Sequence, residues 1–176
     1  MTEGKGKISV LVIPEQNYTQ HLLGILKTLS ERYKLICYVS LNKPCSSLLD
    51  LMKENSIDMS RFYFIDAITR TAKIPEPVNY CSYISSPSAL TEISLAVSNY
   101  FTAENNADCF IFDSLSTLYV HESESTITKF VHYLMAKLKV VGCDSYFTVL
   151  KTDENSTLMK DVHMFADQIV DISKWG

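Results

Sequence analysis

The sequence predicts an α/β fold: a three-layer α/β/α sandwich built on a mainly parallel sheet. Strand-length apolar runs alternate with stretches of helical periodicity, the pattern of parallel strands connected by helices that cover the sheet. The runs are almost continuously hydrophobic, as in Leu35-Ile36-Cys37-Tyr38-Val39, which suits strands buried on both faces. The chain has 176 residues, 47% hydrophobic and 20% charged, enough to fill one such core with no linker or low-complexity tract.

Strands are expected near 8–13, 35–40, 62–66, 108–113, 144–150 and 168–172, with the first beside the fourth because both read as central. The first helix, near 19–32, carries Leu22, Ile25, Leu26 and Leu29 at i, i+3, i+4 and i+7, a stripe that faces a core. Asn17 and Gln20 are placed for a start resembling a capping box. A second helix, near 46–55, follows Pro44 and ends where Asn55 can supply the closing turn. A third, near 88–101, follows Pro87, a residue suited to opening a helix. The fourth, near 125–141, buries Ile127, Phe130, Val131, Leu134, Leu138 and Val141 and stops at Gly142. A fifth lies near 156–165. Between 69 and 87 runs a polar segment with Pro75 and Pro77 and a short extended piece near 80–84, read as a surface insertion.

Composition excludes several function classes. A formal charge of -4 gives no general attraction to nucleic acid or anionic membrane, and Lys5 and Lys7 read as a solvated terminus. No apolar run approaches the roughly 20 residues that span a bilayer, and no signal peptide opens the chain, so a cytoplasmic location is expected. Five scattered cysteines without a C-x-x-C pair give neither a disulfide framework nor a zinc knuckle. Cys37 and Cys109, inside strands, read as core residues. His132 falls beside an apolar stripe, and His21 and His163 lack ligand-spaced partners. His121-Glu122-Ser123-Glu124 reads as a solvated acidic loop, and no nucleophile elbow is present.

The most informative stretch is the first strand, Ile8-Ser9-Val10-Leu11-Val12-Ile13, with the loop Pro14-Glu15-Gln16-Asn17-Tyr18-Thr19 that leads into a helix. A phosphate-binding loop uses glycines to converge backbone N–H groups on phosphate, a lysine as point charge and a Ser/Thr hydroxyl for magnesium. The chain has five glycines, and none makes such a loop after a strand. Later comes Asp108-Cys109-Phe110-Ile111-Phe112-Asp113-Ser114-Leu115, a hydrophobic strand ending in aspartate as a Walker B strand does. In order and spacing these pieces resemble the KaiC and RecA branch of the P-loop ATPases, in particular archaeal KaiC-like proteins with a degenerate Walker A motif.

The resemblance spans most of the chain and implies one RecA/KaiC-like domain over 1–176, with 1–7 as a disordered or extended N-terminus. Against the family's Pro-Gly-x-Gly-Lys-Thr, Pro14 and Thr19 match, Glu15 and Asn17 replace glycines, and Tyr18 replaces the lysine. Where the family carries Tyr-Val-Ser-Phe-Glu-Glu-Pro with its catalytic glutamate, this chain reads Tyr38-Val39-Ser40-Leu41-Asn42-Lys43-Pro44. Ala166-Asp167-Gln168-Ile169-Val170-Asp171 resembles the closing strand. Losing one preorganised electrostatic donor typically costs a catalytic site about 2.7–4 kcal/mol. Here cradle, lysine and base are absent together, and Glu15 opposes an anion at the helix start.

The resemblance therefore implies a noncatalytic pseudo-ATPase with no catalytic residues, metal or cofactor, acting as a regulatory or scaffolding module through a protein partner or self-association. The chain stops soon after Asp171, which favours a dimer or hetero-complex over a ring. The candidate faces are the 69–87 loop and Tyr119-Val120-His121. The alternative is a nucleotide sensor or altered ATPase in which Thr19 and Asp113 would hold ATP with magnesium. Nucleic acid and membrane are disfavoured as partners. In the noncatalytic reading Asp113 is structural, its carboxylate accepting backbone N–H groups of the following turn.

Overall fold

The computed structural model describes residues 5–102 and 105–174. Its centre is a seven-stranded sheet made of β1 (Ile8–Ile13), β2 (Ile36–Ser40), β3 (Phe62–Asp66), β4 (Cys81–Tyr83), β5 (Cys109–Asp113), β6 (Asp144–Leu150) and β7 (Gln168–Asp171). The order is β4-β3-β2-β5-β6-β1-β7, and every neighbouring pair is parallel. The expected adjacency of the first and fourth strands is corrected: β6 lies between them, pairing β1 on one side and β5 on the other. Continuous hydrophobicity identifies buried strands but carries no information about which buried strand is whose neighbour.

The helices are α1 (Tyr18–Arg32), α2 (Cys45–Glu54), α3 (Leu90–Tyr100), α4 (Leu115–His121), α5 (Glu124–Val141) and α6 (Thr157–Phe165). Because successive strand residues face opposite sides, each buried strand feeds two cores. On one face Val10, Val39, Phe110, Phe112 and Phe147 pack with residues of α3, α4, α5 and α6. On the other, Tyr38, Phe64, Cys109 and Ile111 pack against Leu22 and Leu26 of α1 and Leu48 and Met52 of α2. This is the three-layer sandwich that the sequence predicts. All five cysteines are buried and free, as core residues should be.

Local differences have local causes. Asn17 precedes α1 in the left-handed region, φ 60°, with no side-chain cap, so the capping start does not form. Asn55 ends α2, but Ser56 takes the positive φ, 54°. Pro87 stands outside α3, which begins at Leu90. The helix α4 was not expected. Its seven residues are too few to show a period, and its signal is Ser114, whose hydroxyl accepts the Thr117 N–H at 3.3 Å. Gly142 closes α5 at φ 70° as its position predicts.

Of the N-terminal segment expected to be disordered or extended, residues 1–4 lie outside the described residues. The Gly6 and Lys7 amides donate to Asp144 Oδ1 at 3.0 and 3.1 Å. Gly6 is buried at φ 87°, and a Cβ there would stand 3.2 Å from the Lys139 carbonyl oxygen.

Candidate functional site around Asp113

Asp113 is the last residue of β5 and is fully buried. In register, Tyr38 of β2 lies beside Ile111, Ser40 beside Asp113, and Phe147 of β6 beside Phe112. With side chains alternating, Tyr38, Asp113 and Thr148 therefore rise from three adjacent strands on the α1/α2 face. There α1 brings in Tyr18, and the loop after β2 brings in Asn42.

The hydrogen bonds close on the carboxylate. Oδ1 accepts from the Tyr18 hydroxyl, from Asn42 Nδ2 at 3.0 Å and from Thr148 Oγ1 at 3.0 Å. Oδ2 accepts from the Tyr38 hydroxyl at 2.7 Å. Tyr18 and Thr148 hydroxyls also touch, at 3.0 Å, and the Thr117 hydroxyl donates to Asn42 Oδ1. Burial raises the Tyr18 and Tyr38 phenols well above their ordinary range, with the Asp113 charge adding to it. Both therefore remain protonated donors at any ordinary pH. The expected partners of Asp113, backbone N–H groups of the next turn, are corrected to four side chains.

The backbone N–H role falls instead to Asp66, at the end of β3. It is fully buried and accepts the Cys45, Ile68 and Thr69 amides at 2.8, 2.7 and 2.9 Å. It thereby fixes the start of α2 to the sheet. Sequence reasoning missed both Asp66 and Thr148. Asp66 is a lone polar residue at the carboxyl end of an apolar strand, the signal that did single out Asp113, whereas Thr148 lies inside β6 and carries no such signal.

Thr19, half-buried in the first turn of α1, is not among the groups bonded to Asp113. Glu15 accepts the Thr152 N–H at 2.6 Å, and that bond, with a smaller contribution from Lys151, holds its carboxyl below the usual carboxylate range. Above this layer, at the carboxyl ends of the strands, an open crevice of about 600 Å³ is lined by residues including Tyr18, Asn42, Lys43, Ser114, Val120 and Leu150. Asp113 does not line it, because Tyr18 and Asn42 stand between. His121 and Glu122 do not line it either. His132 stacks on Phe165, ring centroids 4.1 Å apart. Among the described residues no group of three metal-ligating side chains occurs, and no helix is long and apolar enough to cross a membrane.

The architecture is similar to the crystal structure of KaiC-like protein PH0186 from the hyperthermophilic archaeon Pyrococcus horikoshii OT3, with a TM-score of 0.61 at 15% identity. The match covers 95% of this chain and 73% of that one. The class is thus an α/β domain with a KaiC/RecA-like fold. Over residues 49–172 the sequence matches the model of a family of unknown function, DUF7504, and the chain belongs to that family. Comparison with curated proteins gives no match.

Proposed function

We propose that this chain is a noncatalytic, KaiC-like pseudo-ATPase that serves as a regulatory or scaffolding module through protein contacts. One observation carries the reading: the Tyr18 hydroxyl is bonded to Asp113. By the resemblance, Tyr18 stands where the phosphate-binding lysine would be and Asp113 where the magnesium-associated aspartate would be. Here the two satisfy each other. The residues present do not fit magnesium-ATP: both Asp113 oxygens are engaged by neutral donors, and Thr19 is not part of the cluster. A hard cation needs free oxygen ligands in an octahedral set, which a fully donated carboxylate does not offer. The arrangement instead suits a keystone that joins β2, β5, β6 and α1.

The second reading, a nucleotide sensor with an altered phosphate site, is favoured by the crevice beside Lys43. Isothermal calorimetry with ATP, ADP and GTP, each with and without magnesium, separates the two. No binding heat is expected up to millimolar nucleotide. Micromolar, magnesium-dependent binding would overturn the noncatalytic reading.

A further inference from the structure

Two exposed features at different places in the fold complement each other. The first is the segment Lys73-Ile74-Pro75-Glu76-Pro77, which follows β3. It is held at Lys73, whose N–H donates to Thr69 at 3.1 Å, and again at the Val78–Cys81 bridge. Between these anchors Ile74 is 97% exposed, an unusual position for a large β-branched side chain. Two prolines restrict the segment to extended backbone, so little entropy is lost when it docks. In that form Lys73 and Glu76 stand about 9 Å apart. The second feature is the crevice over β2, β5 and β6. Leu150 and the 78% exposed Val120 form apolar wall, and Lys43 and Asp153 are its charged members. Among the described residues, Lys43, Asp153, Lys73 and Glu76 enter no ion pair.

We infer that segment 73–77 of one copy docks in the crevice of a second copy, with Ile74 against Val120 and Leu150, Glu76 against Lys43 and Lys73 against Asp153. This rests on the protein-contact reading above and names the partner as the chain itself. Segment and crevice are different surfaces, so the contact is heterologous and leaves one of each free for further copies. The contact is small beside the about 800 Å² per partner of a stable interface, so association is weak and rises with concentration.

Sedimentation velocity over micromolar to millimolar protein tests the inference. The wild-type mass should climb with concentration. Ile74→Asp and Val120→Asp, both at exposed positions and both expected to keep the wild-type circular dichroism, should each weaken association by at least about tenfold. Ile74→Asp keeps a working crevice and Val120→Asp a working segment, so an equimolar mixture should recover a dimer and no more. Lys43→Glu and Glu76→Lys should each weaken association, and together in one chain restore it. A wild-type monomer throughout, a mass indifferent to either aspartate variant, or a mixture that stays monomeric would overturn the inference and leave the noncatalytic reading standing. Conversely, magnesium-ATP that dissociates the wild-type assembly would sink the noncatalytic reading while supporting the crevice as the docking site.

Discussion

At the scale of single residues, the chemistry concentrates on one carboxylate whose two oxygens are served unequally. Oδ1 of Asp113 has three donors, whereas Oδ2 has the Tyr38 hydroxyl. A hydrogen bond to a charged group contributes about 1.5–3 kcal/mol, and a buried acceptor left without a donor costs its full desolvation. Tyr38→Phe should therefore destabilise the protein by about 2–3 kcal/mol, and Tyr18→Phe by less, because Asn42 and Thr148 still serve its oxygen. Asp113→Ala strands all four donors and should be the most damaging of the three. Urea midpoints with an unchanged m-value give the ranking. If Tyr18→Phe proved the worse of the two tyrosine variants, the asymmetric keystone would be wrong. The same reasoning revises the outer faces. Tyr119, expected at a contact surface, donates its hydroxyl to Ser156 at 2.8 Å and links α4 to α6, whereas Val120 beside it is exposed.

At the scale of elements, the edge strand β7 shows how a short strand is pinned. At one end Asp167 accepts the Ile8 N–H at 2.8 Å and pairs with Lys139. At the other Asp171 pairs with Lys151 at 2.8 Å and caps Ser173. The Lys151 ammonium, then the Ser173 donors, lower the Asp171 carboxyl from its ordinary 3.8 to about 2. A depressed folded-state value means the contribution to stability is complete above the unfolded value near 3.8 and is lost as pH falls through about 2. Carboxyl-carbon NMR should find the Asp171 midpoint near 2, and Lys151→Met should move it upward. A midpoint unmoved by Lys151→Met would dismiss the ion pair as the cause. The strand itself, half-buried at the sheet edge, was legible in Gln168-Ile169-Val170-Asp171, and the long interior strands and helices were legible because burial on two faces writes continuous hydrophobicity and helix burial writes a stripe. Adjacency was not legible, and so neither was Thr148. Its meeting with Asp113 depends on β6 lying beside β5, a fact carried by packing between elements far apart in the chain. The Tyr18 and Asn42 contacts were hidden for the same reason, although both residues stood in the segments that the sequence singled out.

At the scale of the whole molecule, one sheet carries two cores, and the question is whether they melt together. Leu134 of α5 and Leu26 of α1 are both fully buried, on opposite faces. The strands β2, β3 and β5 contribute buried residues to both cores, as when Phe110 and Ile111 of β5 turn to different sides, and β1 does so through a smaller cluster of Leu11 and Ile13 with Ile172, so neither face can lose its packing while the sheet remains intact. The Asp113 cluster adds a polar tie across β2, β5 and β6 at the level where α1 begins. The chain should therefore unfold as one cooperative unit. Truncating a buried leucine to alanine costs about 2–5 kcal/mol, so Leu26→Ala and Leu134→Ala should each lower the urea midpoint without changing the m-value. Sites well separated and without shared partners add within about 0.5 kcal/mol, so the double variant should lose the sum. Near-ultraviolet dichroism and far-ultraviolet dichroism should trace the same transition in all three variants. A second transition in Leu26→Ala, with the α3 to α6 side still folded, would show that the sheet does not couple its faces. It would also remove the basis for treating the Asp113 keystone as the feature that holds the layers in register.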